Sequence, residues 1–179
     1  VAINGFGRIG RAAFKIALEN PKVQVVAIND LTDNATLAHL LKYDSVYGIY
    51  DKEIKSDEKN IFVDDVAYPC SSIKELNNLP WHDLEVDVVL ECTGKFVKDG
   101  AANGHLQAGA KKVIISAPAK GKDNINTYLI GVNEDKYKGE QIISNASCTT
   151  NCIAPVTKII HEVFGIKKAF LNTIHSYTA

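Results

Sequence analysis

Apolar positions along the chain follow two rhythms that take turns. Val1-Ala2-Ile3, Val23 to Ile28, Val86-Asp87-Val88-Val89-Leu90, Lys112-Val113-Ile114-Ile115, Tyr128 to Val132 and Gln141-Ile142-Ile143 are short and rich in β-branched residues. Runs of this kind predict strands of a sheet covered on both faces. Between them, Ala13, Phe14, Ala17 and Leu18 recur at helical spacing, as do Leu37, Ala38, Leu40 and Leu41. Asp99 to Ala110 predicts a further helix, with Gly104 inside it and Gly109 near its end. Ile54, Ile61-Phe62-Val63 and Val66-Ala67-Tyr68 predict three shorter strands, separated by charged turns such as Ser56 to Asn60. Later, Cys152-Ile153, Val156, Ile159-Ile160 and Val163-Phe164 return to the helical period, and Gly165 stops it. Pro155 cannot donate to the carbonyl of Asn151, which predicts a bend in that helix. Ala169 to Tyr177 reads as one more strand. Strands alternating with helices from Val1 to Ile143 predict an α/β fold with a doubly wound, mainly parallel sheet.

The first strand enters Gly5-Phe6-Gly7-Arg8-Ile9-Gly10, a G-x-G-x-x-G run that opens a helix. Such glycines make a tight turn, let backbone approach a pyrophosphate, and pack helix against strand, while the helix start offers N–H donors to phosphates. Gly5, Gly7, Arg8, Ile9 and Gly10 are therefore candidate contacts of a dinucleotide. The pattern is weak alone, because glycine-rich turns are common. Its context adds to it: the second strand ends at Asn29-Asp30, and Asp30 lies 20 residues beyond Gly10. An acid there can hold the ribose hydroxyls of NAD and would repel the 2′-phosphate of NADP. Read blandly, Asp30 is a solvated turn acid beside Thr32 and Asp33. Thr93 and Gly94 follow the strand that ends at Glu91, where a doubly wound sheet places its ligands.

Ser144-Asn145-Ala146-Ser147-Cys148-Thr149-Thr150-Asn151-Cys152 joins a strand to a helix, with Ser147 as a candidate N-cap. A thiol at that point faces unpaired N–H groups and the positive end of the helix dipole, which favour the nucleophilic thiolate. A lone cysteine is more often buried and inert; the hydroxylated flanks and helix-start position of Cys148 point instead to chemistry.

Ser147-Cys148-Thr149-Thr150-Asn151-Cys152 resembles the active-site signature of phosphorylating glyceraldehyde-3-phosphate dehydrogenases, and His175 follows Cys148 by 27 positions, the spacing of that family's catalytic pair. The resemblance covers almost the whole chain, including Asp30-Leu31 and the run Tyr43 to Gly48. It implies a Rossmann NAD-binding domain over residues 1–147 and, over 148–179, the beginning of an α+β catalytic domain with antiparallel strands. It implies Cys148 as nucleophile and His175 as the base that takes the hydroxyl proton of the hemithioacetal as hydride leaves. Ser147 and Thr149 would lie near an attacking inorganic phosphate and Thr178 near the phosphate of a small phosphorylated aldehyde, with Ser116 toward the nicotinamide. One stretch departs from the family: counting back from Leu79-Pro80-Trp81 puts Lys74 where an adenine-side Arg is usual. Lys keeps the charge and loses the planar stacking surface. The resemblance further implies a homotetramer for the full-length protein, and a continuation past His175 without which this chain would not turn over.

Composition narrows the picture. The chain has 179 residues, 46% hydrophobic and 23% charged, with a formal net charge of −1 and no long single-sign block. That balance recommends neither nucleic acid nor an anionic membrane as a partner. Cys70, Cys92, Cys148 and Cys152 lack a disulfide-framework spacing, and no Cys/His cluster suggests a metal. A reducing, cytoplasmic setting fits them. Cys152, one helical turn beyond Cys148, reads as packing, with a redox disulfide as the sharper alternative. Three functions stay open: the glycolytic dehydrogenase, a relative acting on another aldehyde such as erythrose 4-phosphate or using NADP, and a nucleotide-binding or redox-sensing protein without turnover.

Overall fold

A computed structural model describes residues 1–122 and 124–175. In chain order the elements are β1 (Ala2–Asn4), α1 (Arg8–Glu19), β2 (Ala27–Asn29), α2 (Asn34–Lys42), β3 (Tyr43–Asp44), β4 (Gly48–Ile49), β5 (Ile54–Ser56), β6 (Asn60–Val63) and β7 (Val66–Ser71), followed by β8 (Val88–Glu91), α3 (Asn103–Gln107), β9 (Lys112–Ile115), β10 (Ile142–Ser144) and α4 (Cys148–Phe164). Eight strands form one sheet in the order β10-β9-β8-β1-β2-β7-β6-β5, while β3 and β4 pair separately. The first six in that order run parallel; β6 and β5 continue the edge antiparallel. The fold is the doubly wound, mainly parallel sheet that the alternation of strands and helices predicts, with the Rossmann arrangement that the resemblance implies.

Because successive side chains on a strand point to opposite faces, Ala2 and Ile3 start two different cores. Ile3 packs with Phe6, Phe14, Ile28, Leu37, Leu41, Ile61 and Val63. Ala2 packs on the other side with Ala27, Leu76, Leu79, Trp81, Val86 and Val89. Helix α1 buries Gly10, Phe14 and Ala17, one stripe at helical spacing. The β6–β7 hairpin turns through Asp64 and Asp65, at φ 48° and 65°. Two left-handed residues between paired strands make the tight hairpin turn that matches strand twist, and Asp tolerates it.

Several expected boundaries move. The helix predicted over 99–110 shrinks to Asn103–Gln107, because Asp99 and Gly100 adopt φ of 47° and 68° and Gly109 adopts 106°. Tyr128 to Val132 forms no strand: Thr127 makes one bridge to Ser144, and the chain then turns at Gly131, φ 78°. An apolar run alone cannot supply a partner edge, and here the turn intervenes before a ladder can form. Likewise, Ala169 to His175 joins no ladder; an extended segment becomes a strand only where another strand offers its backbone. Ser176 to Ala179, including Thr178, lie outside the described residues. Helix α4 runs unbroken from Cys148 to Phe164 with Pro155 inside it, and Gly165 ends it at φ 70°.

Candidate active site

The cofactor end of the sheet lies beyond the carboxyl ends of β1, β2 and β8, where the strand order reverses direction around β1. A cleft of about 470 Å³ opens there, lined by Gly5, Gly7, Asp30, Lys74 and Thr93 among the expected residues. Asn4, Asn29, Leu31, Thr32, Ile73, Glu75, Cys92, Lys95 and Phe96 also line it. Arg8, Ile9 and Gly10 form the first turn of α1 just beyond Gly7. A more open depression of about 550 Å³ shares Leu31 and Thr32 and is lined by Asp33, Asp57 and Glu58, a wall that repels anions.

Two glycines are dictated by contact. A Cβ on Gly5, at φ 92°, would lie 2.7 Å from the Thr93 nitrogen, and one on Gly10 would lie 2.1 Å from the Gly5 carbonyl oxygen. A Cβ on Gly7 would meet nothing within 4 Å, so this glycine leaves open space on the cleft side. Gly7 is the N-cap of α1 and supplies no side-chain cap, and the first turn carries no acid. The helix start thus offers N–H donors and a positive dipole end to an anion. Asp30 lies half-buried at the far side, its Oδ2 accepting from Phe6 N–H at 2.6 Å and Oδ1 from Thr32 N–H at 2.9 Å. Each carboxylate oxygen has a further lone pair for a ribose hydroxyl. An uncapped helix start, an open glycine and an acid on the wall of the same cleft fit a dinucleotide such as NAD.

Beneath the cleft runs a buried polar chain that sequence reasoning did not find. Trp81 Nε1 donates to His105 Nδ1 at 2.9 Å, so the ring proton sits on Nε2, which donates to Glu91 Oε2 at 2.8 Å. Asn4 Nδ2 donates to the same oxygen at 2.6 Å, and Asn29 Nδ2 donates to Asn4 Oδ1 at 2.7 Å. Glu91 Oε1 accepts from Thr93 N–H at 2.8 Å and from the Thr93 hydroxyl. Asn29 Oδ1 accepts from Ser71 Oγ and Ile73 N–H. Among the described residues, every buried side-chain N and O atom has a partner. This chain fixes Thr93 and Asn4 at the cleft floor. Its only sequence signal was a polar residue, Asn4, Asn29 or Glu91, ending each apolar strand. Gly94, at φ 69°, turns the chain after Thr93. Ser116 follows β9 and donates its N–H to the Glu91 carbonyl at 3.0 Å, outside the residues that line the cleft.

The thiol region has a different character. Ser147 caps α4, its Oγ accepting from Thr150 N–H at 3.0 Å and sharing a hydrogen bond with Thr150 Oγ1 at 2.8 Å. Ala146 before it is buried and left-handed, at φ 61°. That conformation costs a non-glycine residue about 1 kcal/mol, and it turns β10 sharply into α4. Cys148 stands at the first position of the helix, and both it and Cys152, one turn on, are exposed in this chain. Cys70 and Cys92 are the opposite case, with thiols pushed by burial up to about 11. His175 returns to the start of α4: its Nε2 lies 3.3 Å from Thr149 Oγ1 and 3.1 Å from Thr173 Oγ1. It bonds the neighbour of Cys148 rather than the thiol. Among the described residues, no group of three or more His, Cys, Asp or Glu side chains could hold a metal, and no helix is long and apolar enough to cross a membrane.

Comparison with known proteins follows this geometry. Residues 1–99 match the family described as glyceraldehyde 3-phosphate dehydrogenase, NAD binding domain, and residues 147–179 match its C-terminal domain. The chain is 54% identical over 180 residues to glyceraldehyde-3-phosphate dehydrogenase of Geobacillus stearothermophilus, covering 99% of this chain and 53% of that protein. It is 55% identical over 181 residues to the Thermotoga maritima enzyme of the same name, covering 99% and 54%. Against glyceraldehyde-3-phosphate dehydrogenase 1 of Bacillus subtilis it is 53% identical over 180 residues, covering 99% and 53%. The chain spans about half the length of these curated relatives.

Proposed function

The chain belongs to the glyceraldehyde-3-phosphate dehydrogenase family, and on that premise we propose that it serves the phosphorylating oxidation of glyceraldehyde 3-phosphate to 1,3-bisphosphoglycerate. The observation that carries this reading is the return of His175 to the start of α4. Two residues 27 positions apart are brought to one helix terminus, where the exposed Cys148 stands first. Residues 1–147 act as the NAD-binding domain and 148–179 as the beginning of the catalytic domain. NAD, when bound, supplies the hydride acceptor.

The remaining chemistry belongs to the chain's own residues. Cys148 Sγ, as thiolate, adds to the aldehyde carbon and gives a hemithioacetal. His175 takes the hydroxyl proton as hydride leaves that carbon, and a thioester remains on Cys148. For this, His175 exchanges its bond to Thr149 for one to the substrate, a short adjustment at the same helix end. Inorganic phosphate then attacks the thioester carbon, the thiolate leaves, and an acyl phosphate departs. The N–H groups of Cys148 and Thr149 and the hydroxyl of Thr149 receive that phosphate at the start of α4, since the Ser147 cap is spent on Thr150 N–H. Thr178 takes the substrate's own phosphate. Gly5, Gly7, Arg8, Ile9 and Gly10 hold the pyrophosphate; Asp30 holds the ribose; Lys74, Thr93, Gly94 and Ser116 complete the cofactor surround. A cytoplasmic homotetramer is the setting proposed for the whole protein.

The test is NADH formation by the protein expressed from its complete gene. Turnover should require phosphate and prefer glyceraldehyde 3-phosphate to erythrose 4-phosphate. Phosphate-independent turnover, or the opposite preference, would replace this reading with that of a relative; no turnover would leave a binding or sensing protein. Asp30→Ser should narrow the NAD/NADP ratio of kcat/KM by about tenfold, the loss of one charged hydrogen-bond set. The ratio is the measure to use, because Asp30 also holds Phe6 N–H, and loosening that loop affects both cofactors alike.

A further inference from the structure

Phe6, the residue between the first two glycines, is pinned from three sides. Its ring is fully buried edge-on to Phe14, with centroids 5.3 Å apart. Its N–H donates to Asp30 Oδ2 at 2.6 Å, and its carbonyl accepts from Arg11 Nη1 at 2.9 Å. The backbone N–H at the same position closes the first bond of α1 to the Gly7 carbonyl at 2.9 Å, which leaves the side chain's bond to Phe6 as the contact particular to Arg11. Its guanidinium is half-buried and feels the carboxylates of both Asp30 and Asp44, which offset the desolvation that lowers its pKa.

With both peptide groups of Phe6 tied to protein, the loop has no freedom to rotate its following N–H groups inward. The α1 start carries no side-chain cap, and the space a Cβ on Gly7 would take is open. We infer that Arg11 is a positioning residue that sets the glycine loop for the phosphates of a dinucleotide without touching the dinucleotide itself. This inference rests on the cofactor reading given above. It also makes a selective demand. Arg11 acts on the phosphate-binding turn, whereas Leu31, Thr32, Ile73 and Lys74 line the cleft from other elements. Losing Arg11 should therefore weaken ligands that carry phosphate and spare a nucleoside. Lys at this position would keep the charge between Asp30 and Asp44 but not the planar fork, so it should rescue only in part.

Arg11→Met preserves the stem and removes the donors; Arg11→Lys is the conservative partner. Dissociation constants would be measured by calorimetry or NMR titration for NAD, ADP and adenosine, with thermal melts to confirm folding. Arg11→Met should weaken NAD and ADP about tenfold, with Arg11→Lys between it and the parent, and adenosine unchanged within about twofold. If Arg11→Met does not fold, the NAD-to-adenosine ratio of Arg11→Lys decides alone. Equal weakening of all three ligands would show general loosening and overturn the inference, as would no change in any. A parent protein that binds none of the three would remove the cofactor reading itself and the inference with it. A parent that binds all three, with Arg11 variants that fail to separate NAD and ADP from adenosine, would leave that reading standing and remove only the inference.

Discussion

The glycine loop and the Cys148 helix invert each other. G-x-G-x-x-G is a weak signal in sequence, yet in the fold it is overdetermined: Gly5 and Gly10 have no room for a side chain, and Phe6 is held through ring, N–H and carbonyl. Ser147 to Cys152 is a highly specific signal, yet it opens a helix that buries none of its residues. Ile159, Val163 and Phe164 on that helix are exposed, and His175 follows on a segment in no ladder. Within this chain, which spans about half the length of the curated relatives it matches, the specificity of a motif and the burial of its setting part company. Phosphate binding by backbone needs a shape, which packing must enforce. A nucleophile needs a particular atom, which one residue names, and its geometry is supplied by neighbours elsewhere.

The largest test of this contrast is chemical. Cys148→Ser, in the protein expressed from its complete gene, should lower kcat on the order of 10⁴-fold while NAD affinity stays within about twofold. Loss of NAD affinity in the same variant would mean the two regions are not independent, and the comparison would break.

Next comes stability. Phe14→Ala, under the glycine loop, should cost this chain about 3–5 kcal/mol, whereas Ile159→Ala on α4 should stay within about 0.5 kcal/mol. Urea unfolding of the 179-residue chain followed by circular dichroism reads both. Equal costs would show that α4 is packed as firmly as α1.

The smallest effect is a pH dependence. Burial raises the Cys92 thiol from its ordinary value near 9 to about 11 in the folded chain. Between those values the unfolded chain has lost the proton and the folded chain has kept it, so stability falls as pH rises. The contribution is whole below pH 9 and gone once pH passes 11, amounting to about 2 kcal/mol after allowance for partial exposure. Cys92→Ala should make the fall across that window shallower, leaving the share of Cys70, whose thiol burial also raises to about 11. Parallel profiles for parent and Cys92→Ala would mean the β8 end is wetter than its packing indicates.

Much of this molecule was legible without coordinates. Short apolar runs taking turns with helical periods predicted the doubly wound sheet, because burial on both faces leaves few other arrangements for such strands between helices. Gly5, Gly10 and Asp30 could be named because each serves a local backbone or charge requirement at a fixed offset. Ser147 as cap and Gly165 as stop are likewise local. What the sequence did not disclose was everything that depends on a partner far along the chain. Tyr128 to Val132 and Ala169 to His175 are apolar enough for strands, and whether a strand forms depends on a neighbouring edge that composition does not reveal. Trp81, His105, Glu91 and Asn4 lie at scattered positions on four segments, and only the fold makes them one hydrogen-bonded chain under the cleft. Nothing in the local pattern marks Arg11; only the turn that brings the Phe6 carbonyl within 2.9 Å of its guanidinium gives it a role in the loop. Local chemistry is written residue by residue, but pairing, burial and positioning arise between residues, so they are decided only once the chain has closed on itself.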